Sequence, residues 1–184
     1  MDLFVPFIAK YQMMNAALAA ETMGVLKEFH KIEKQTLKAG MEHTKWQGRM
    51  ETVLPGVIVD GAHNEDGIAR FVETVRYFQD DYSITLLFAT VSDKEFGDMI
   101  RKICSGLHFT NVIVTEIWGS RKQSSEELAE LFRENGCNQV CAQPDPEKAF
   151  DQAYEQKGDG LLFVVGSLYL VGEIKDYIRR KKYD

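Results

Sequence analysis

The stretch that decides the fold is Val57-Ile58-Val59-Asp60-Gly61-Ala62-His63-Asn64, in which a short β-branched run ends at a polar turn. A run of this kind, ended by glycine, predicts a buried parallel strand that delivers its loop to the edge of a sheet. Ligands of open α/β sheets bind outside the carboxyl ends of the strands. The carboxylate, imidazole and carboxamide that stand together after this strand therefore predict a ligand site.

Strand and helix patterns alternate along the rest of the chain. The predicted strands span residues 57–60, 84–90, 111–115, 139–142 and 161–165. The predicted helices span residues 67–79, 96–104, 125–135, 147–156 and 168–182. This alternation predicts an α/β fold over residues 45–184, a three-layer Rossmann-like domain with a mostly parallel sheet covered by helices on both faces.

Several helix ends carry local signals. Ser124 with Glu127 predicts a capping box at the third of these helices. Gly136 stands where the same helix should close in a left-handed backbone conformation. Asp145 before Pro146 predicts the start of the fourth helix.

Residues 1–44 do not fit this alternation. Residues 10–32 carry a helical apolar stripe, and a second short helix is predicted over 35–43; the stripe consists of Tyr11, Met14, Leu18, Val25, Phe29 and Ile32. Two helices without a sheet of their own need another part of the protein to cover this apolar face. We therefore expect residues 1–44 to be the helical tail end of a preceding domain that is missing here, with residues 45–51 as the linker into the next domain.

Composition excludes several classes of function. The net charge of −6 argues against a nucleic-acid partner. No segment reaches membrane-spanning length and the first residues lack the layout of a signal peptide, so a soluble, cytoplasmic protein without a membrane partner is expected.

The cysteines indicate a reducing compartment. Cys104, Cys137 and Cys141 make an odd count without a Cys-x-x-Cys pair, which is typical of buried or free thiols. Cys137 and Cys141 are near enough in sequence to approach one another, but without paired histidines no metal site is predicted.

Short polar motifs follow one another at characteristic spacings. They are Gln12-Met13-Met14-Asn15-Ala16-Ala17-Leu18-Ala19, Trp46-Gln47-Gly48-Arg49-Met50-Glu51, Asp60-Gly61-Ala62-His63-Asn64, Ser92-Asp93-Lys94-Glu95 and Gly166-Ser167-Leu168-Tyr169-Leu170. In this order they resemble the carboxy-terminal portion of folylpolyglutamate synthase, in the Mur-ligase-like family of ATP-dependent ligases. That family extends folates with glutamate, and a bifunctional relative is dihydrofolate synthase.

The resemblance implies a Mur ligase C-terminal domain fold, and a monomer that uses ATP, Mg²⁺, L-glutamate and a folate or dihydropteroate. It also implies a larger amino-terminal ATPase domain that carries a Gly-rich phosphate loop and the magnesium ligands. No G-x-x-x-x-G-K-[ST] motif occurs in this chain, so it is expected to be inactive alone. The rival interpretations are another Mur-like amino-acid ligase and a non-catalytic nucleotide-binding domain.

The resemblance further implies that Asn15, Arg49 and Asp60 contact ATP. A carboxamide matches the edge of adenine, a carboxylate can accept from ribose hydroxyls, and a guanidinium suits ribose and phosphate oxygens. Each residue also has a purely structural interpretation. Asn15 can face solvent or bond a neighbour, Arg49 can pair with Glu51 at the surface, and Asp60 can cap the turn before the next helix.

Two more residues are candidates for the substrate site. The resemblance places His63 in the cleft where glutamate meets the acyl phosphate, as a carboxylate ligand or as a base for the attacking amine. The alternative is a histidine that positions its loop through a backbone hydrogen bond. Ser167 is predicted first as a helix N-cap and second as a ligand of the glutamate carboxylate. Lys94 can neutralise substrate charge or pair with Asp93, and the sequence leaves both open.

Overall fold

The computed structural model describes residues 4–6, 8–26, 33–92 and 95–181. The chain divides into two compact units, Met1–Gln47 and Gly48–Asp184. The first is helical and the second contains the sheet.

The first unit contains two helices, α1 (Lys10–Leu26) and α2 (Lys34–Glu42). Part of the predicted apolar stripe lies exposed on α1, where Met14, Leu18 and Val25 are each more than half accessible. The stripe positions Phe29 and Ile32 lie outside the described residues.

The second unit is a single sheet with helices on both sides. Its strands are β1 (Glu51–Leu54), β2 (Val57–Val59), β3 (Ile84–Phe88), β4 (Asn111–Val114), β5 (Val140–Ala142) and β6 (Leu161–Val165). Its helices are α3 (Glu65–Val75), α4 (Phe96–Gly106), α5 (Ser125–Glu134), α6 (Pro146–Gln156) and α7 (Leu168–Lys181). The sheet order is β1-β2-β6-β3-β4-β5, and every pairing is parallel except that of β1 with β2. The predicted fold class is confirmed.

Side chains alternate between the two faces of this sheet, so each central strand is apolar on both sides. On one face Val59, Leu87 and Val164 pack in a cluster with residues of α6 and α7. On the other face the Phe163 ring meets Phe71 of α3 edge-on, with centroids 5.8 Å apart. These two packed faces are the two cores of the three-layer domain.

The strand β1 corrects the sequence analysis, which assigned residue 51 to a linker and no strand to residues 52–54. Glu51 pairs antiparallel with Val59, and Thr52 pairs with Ile58. The segment is short, half polar and at the edge of the sheet, and it becomes a strand because β2 offers a free edge there.

The helix-end predictions had mixed outcomes. Gly136 adopts φ 91°, and Asp145 caps α6 by accepting from the amides of Glu147 and Lys148, so both predictions are confirmed. The capping box was wrong. Ser124 is the residue before α5, but among the described residues its side chain makes no capping bond, and Glu127 instead accepts from the Gln123 side chain.

The order of strands creates a topological switch point. The chain passes from β2 through α3 to β3, leaving a gap that β6 later fills. The loops that follow β2, β3 and β6 therefore leave neighbouring strands at the same edge of the sheet, which is where open α/β sheets bind ligands.

Candidate functional site

The loops after β2, β3 and β6 are joined by backbone hydrogen bonds. The Asp60 amide donates to the Val164 carbonyl over 2.9 Å, continuing the β2–β6 pairing past the end of the strand. The Gly166 amide then donates to the Ala62 carbonyl over 3.1 Å. The sequence motifs of residues 60–64 and 166–170 therefore meet at the carboxyl edge of the sheet.

Two glycines make this close approach possible. A Cβ on Gly61 would lie 2.2 Å from Cδ2 of Leu168. A Cβ on Gly166, which has φ 109°, would lie 2.3 Å from the Ala89 carbonyl oxygen. A larger residue at Gly166 would meet backbone and push the loops apart, whereas a larger residue at Gly61 would first displace the Leu168 side chain.

The segment Gly48-Arg49-Met50, at the start of the second unit, lies against the same edge. The Gly61 amide donates to the Gly48 carbonyl over 2.7 Å. The Nη1 atom of Arg49 is 3.2 Å from the position a Gly61 Cβ would occupy, so this guanidinium lies over the loop after β2. Arg49 is half-buried. The structure thus brings Arg49 to the loop that carries Asp60 and His63.

The Asp60 side chain hydrogen-bonds to both of these segments. Its Oδ2 accepts from the Met50 amide over 2.9 Å and its Oδ1 accepts from the Ala62 amide over 2.8 Å. Burial raises the pKa of Asp60, and the two amides and the nearby Arg49 charge oppose that shift. The carboxylate therefore joins the segment before β1 to the loop after β2.

The burial of Asp60 bears on its predicted contact with a ribose. The side chain is only 3% exposed, and each of its oxygens already accepts a backbone amide. Direct contact with a nucleotide requires an accessible carboxylate, so this arrangement favours a positioning role. The alternative prediction, that Asp60 caps the turn before the next helix, is confirmed, because its Oδ1 accepts from the Ala62 amide two residues on. Helix α3 itself is capped by Asn64, which accepts from the Gly67 amide over 2.8 Å.

Met50 is the residue that the sequence analysis missed. It has φ 47°, a left-handed conformation that a methionine rarely adopts, and the Asp60 carboxylate holds its amide. Strained backbone of this kind is concentrated at functional sites. No signal in the sequence identifies it, because methionine is not a residue type that favours this conformation.

Glu51, next to Met50, is held in place from two directions. It accepts from the Gly48 amide over 2.7 Å, and the Lys175 ammonium lies 2.8 Å from both of its oxygens. The structural interpretation paired Glu51 with Arg49 at the surface. In the structure, Glu51 pairs with Lys175 of α7.

His63 makes the backbone hydrogen bond that the structural interpretation predicts. Its Nδ1 lies 2.8 Å from the Gly61 carbonyl oxygen, which can only accept, so Nδ1 carries the proton. In the neutral ring Nε2 is then left with its lone pair. A half-buried imidazole in this tautomer is positioned by its loop and retains a nitrogen that can take up a proton.

Ser167 acts as the N-cap of α7. Its Oγ accepts from the Tyr169 amide over 3.1 Å, and the residue is 3% exposed. The first of the two predicted roles thus has direct geometric support. Tyr169 in turn joins α7 to the loop after β4, because its hydroxyl accepts from Arg121 over 2.7 Å and its ring lies under the Arg121 guanidinium.

Two candidates remain. Asn15 is exposed on α1, in the first unit, and its Nδ2 donates to Oε1 of Gln12 over 3.0 Å. Lys94 lies outside the described residues.

The described ranges contain no cluster of three or more His, Cys, Asp or Glu side chains that could hold a metal ion. They also contain no helix that is long and apolar enough to cross a membrane.

The fold and the site together define a class. An open, mostly parallel sheet has its polar loops gathered at a topological switch point, with an arginine, a histidine and a helix N-terminus around them. This is the architecture of α/β domains that bind nucleotides or other anionic ligands at the carboxyl edge.

Comparison with known proteins names the family within this class. The family model described as "Mur ligase, glutamate ligase domain" matches residues 48–168. The chain belongs to this family.

The similar proteins include a dihydrofolate synthase/folylpolyglutamate synthase of Bacillus subtilis, 26% identical over 97% of this chain and 41% of the relative. A Mycobacterium tuberculosis folylpolyglutamate synthase complexed with ADP has a TM-score of 0.81 at 22% identity, over 95% of this chain and 41% of that one. E. coli FolC in complex with DHPP and ADP has a TM-score of 0.83 at 18% identity, over 98% of this chain and 42% of that one. The chain therefore spans about two fifths of the length of these proteins.

Proposed function

We propose that this chain is the glutamate-ligase part of an ATP-dependent enzyme that adds L-glutamate to a folate, and also to dihydropteroate if the parent enzyme is bifunctional. The observation that carries the proposal is the family match over residues 48–168, joined to a relative with both synthase names that aligns with 97% of the chain. In this reaction ATP phosphorylates a carboxylate, and the amine of glutamate then attacks the acyl phosphate to form an amide.

The nucleotide is proposed to contact Arg49 and Asn15. Arg49 supplies a fork of donors with a permanent charge, which suits ribose and phosphate oxygens, and it lies over Gly61 at the carboxyl edge. Asn15 supplies a donor and an acceptor on an exposed side chain, which suits the edge of adenine. The ADP in the Mycobacterium tuberculosis relative supports a nucleotide site in this family.

In this proposal Asp60 positions Arg49 and does not itself contact the nucleotide. By holding the Met50 amide it fixes the backbone of the residue next to Arg49. A ribose contact by Asp60 itself would require the loops to open, since the side chain is only 3% exposed.

His63 is proposed to act on the incoming glutamate. The Nδ1 proton is committed to the Gly61 carbonyl, so the neutral ring presents Nε2 as an acceptor for a proton from the attacking amine. The protonated ring would instead bind the glutamate carboxylate. Ser167 is proposed to act through its cap, which orders the first amides of α7 for an anionic group.

A phosphate-binding partner domain is part of the proposal. The chain has no G-x-x-x-x-G-K-[ST] loop, and the described residues hold no candidate metal cluster. The phosphate loop and the ligands of Mg²⁺ are therefore proposed to come from an ATPase domain that works together with this chain. Positioning and charge stabilisation at their junction would supply most of the acceleration.

The test uses the full-length protein that carries this chain. Release of ADP is measured with ATP and glutamate, in parallel with tetrahydrofolate, dihydropteroate and a cell-wall precursor as acceptor. Glutamate-dependent turnover with a folate acceptor is expected. Turnover with the cell-wall precursor alone would make the enzyme another Mur-like ligase, and nucleotide binding without turnover on any acceptor would favour a binding domain.

Single substitutions in the same protein separate the proposed roles. Arg49→Ala is expected to raise KM for ATP about tenfold or more, because a charged hydrogen bond is worth about 1.5–3 kcal/mol. Arg70→Ala is the matched control, since Arg70 pairs with Glu73 on the exposed face of α3. His63→Gln is expected to lower kcat roughly 100-fold with little change in the KM for ATP. Equal effects of the Arg49 and Arg70 substitutions would contradict the nucleotide assignment.

A further inference from the structure

The thiols of Cys104 and Cys137 lie against one another. Their Sγ atoms are 3.0 Å apart, although the residues are 33 positions apart in sequence. Both side chains are partly accessible, so a small molecule can reach them. The sequence analysis noted only that Cys137 could approach Cys141, and it did not identify Cys104 as a neighbour.

The fold holds each cysteine firmly. Cys104 lies in the last turn of α4, on a helix whose buried face includes Ile103. Cys137 follows the end of α5, where the Gly136 amide donates to Arg133 and the Cys137 amide donates to Phe132, each over 3.0 Å. With φ 91° at Gly136, this pair of bonds is a Schellman motif, which fixes the direction in which the chain leaves the helix.

We propose that Cys104 and Cys137 form a reversible disulfide that joins the end of α4 to the turn after α5 when the chain meets a small-molecule disulfide of the glutathione type. The inference does not depend on the proposed function. Both cysteines lie at the edge of the sheet where the parallel strands begin, opposite the candidate site, because Cys104 is in the last turn of α4, Cys137 follows the end of α5, and both helices return from the carboxyl edge.

The exchange proceeds in two balanced steps. The Cys137 thiolate attacks one sulfur of the small disulfide, forms a mixed disulfide and releases one small thiolate, which takes up a proton. The Cys104 sulfur then gives up its proton and attacks Sγ of Cys137, which displaces the second small thiolate. The protein loses two thiol protons and two electrons, and the small disulfide is reduced to two thiols.

The local electrostatics favour Cys137 as the attacking group. A hydrogen bond with Cys104 lowers the pKa of Cys137, against the opposing effect of burial. The same hydrogen bond, and then burial, raises the pKa of Cys104. The thiolate is the nucleophile in exchange, so Cys137 reacts first and Cys104 resolves the mixed disulfide.

The experiment treats the full chain with oxidised glutathione, removes the excess and counts thiols after denaturation. The count is expected to fall from the three cysteines of the sequence to one. The mass should fall by two hydrogens without an adduct, and a peptide map should contain a Cys104–Cys137 link. A chain that keeps all its thiols, that carries glutathione at these cysteines without a link, or that links only between molecules would overturn the proposal.

Matched variants locate the bond. Cys141→Ser should still lose two thiols, because exposed Cys141 contacts the carbonyl of Ala142 rather than either partner. Cys104→Ser and Cys137→Ser should each form no internal link. An internal link that disappears in Cys141→Ser would overturn the assignment.

Thermal unfolding provides a second readout. The bond would close a loop containing β4 and α5, so the oxidised chain should melt roughly 5–10 °C above the reduced chain, because the cross-link restricts the unfolded state. A lower Tm after oxidation would mean that the native geometry resists the bond, which would contradict a disulfide of the folded protein.

Discussion

At the scale of single residues, Asp60 has the largest structural role in the candidate site. An ionised carboxylate is costly to bury, and two backbone amides and the Arg49 charge offset only part of that cost, so the pKa of Asp60 is raised. Those amides belong to Met50 and Ala62, which lie on two different segments of the chain. The residue type that the sequence motif identified is therefore needed first for the shape of the site.

Asp60→Asn is expected to destabilise the chain by about 1–3 kcal/mol, because the Nδ2 group of asparagine only donates and one of the two buried amides loses its acceptor. The cost should depend on pH. Burial holds the folded-state pKa of Asp60 above the ordinary value of 3.8, so its contribution to stability is fully present below that value and falls as pH rises through the folded pKa. The difference in unfolding free energy between wild type and variant should therefore shrink from pH 4 upwards.

Urea unfolding of both proteins across this pH range measures the effect. Asp80→Asn removes one carboxylate from an exposed position and serves as the control, with little expected change. A difference between wild type and Asp60→Asn that grows with pH would contradict a raised pKa.

At the scale of secondary-structure elements, helix ends could be read from sequence only in part. Asp145 caps α6 as its position before Pro146 predicts. Ser124 has an equally good sequence signal, but the side chain it was predicted to work with, Glu127, bonds to Gln123 instead. A capping box depends on which partner the folded neighbourhood offers, and local sequence does not contain that information.

The two caps form a matched pair for mutagenesis. Asp145→Ala should lower the free energy of unfolding by about 1 kcal/mol, since the amides of Glu147 and Lys148 lose their acceptor. Ser124→Ala should change it by less than about 0.5 kcal/mol, since the described Ser124 side chain makes no capping bond. Chemical denaturation of the two variants measures the difference, and equal losses would contradict the structure.

Two glycines in helical contexts are expected to respond to alanine in opposite directions. Gly136→Ala should destabilise the chain by about 1 kcal/mol, because φ 91° is unfavourable for alanine even though the space around it is open. Gly172→Ala, inside α7 with no atom of the described residues within 4 Å of the added methyl, should stabilise by roughly 0.5–1 kcal/mol. Thermal melts of the pair give the signs, and a stabilising Gly136→Ala would contradict the Schellman motif.

The strand β1 could not be predicted from the pattern of residues along the chain. Its four residues, Glu51–Leu54, have no strong apolar alternation, and their partner β2 also pairs with β6. The segment is a strand because it completes the hydrogen bonds of an edge, which is a property of the assembled sheet. The strongly β-branched and apolar strands β2, β3, β4 and β6 were all predicted, with ends that shifted by no more than two residues.

At the scale of the whole molecule, the candidate site depends on how closely three strands approach at one edge. Gly166→Ala is expected to destabilise the domain by about 3 kcal/mol or more, because the new methyl would lie 2.3 Å from a backbone carbonyl that cannot move independently, at φ 109°. Gly97→Ala, where no atom of the described residues lies within 4 Å of the added methyl, is the control and should be close to neutral or stabilising.

Denaturation curves for these two variants measure the effect. A Gly166→Ala protein as stable as wild type would mean that the loops after β3 and β6 can separate at little cost, contrary to the tight junction seen at Ala89 and Gly166.

The location of the site could be predicted to a considerable extent, and its detailed geometry could not. The run of residues 60–64 after an apolar strand placed polar chemistry at a sheet edge, and the structure has it there. The contact of Asp60 with Met50, the binding of Glu51 by Lys175 and the meeting of Cys104 with Cys137 join residues far apart in the chain. Such contacts depend on the order of strands, which alternation alone does not determine.

The sequence by itself determined the fold class, the alternation of buried strands and amphipathic helices, and the edge at which polar residues gather, because these follow from periodicity and turn chemistry. Only the tertiary structure decided that β6 lies between β2 and β3, that Asp60 is buried, and which cysteines meet. The physical reason is that local patterns specify which face of an element is apolar, whereas the packing of all the elements together decides which neighbour covers it.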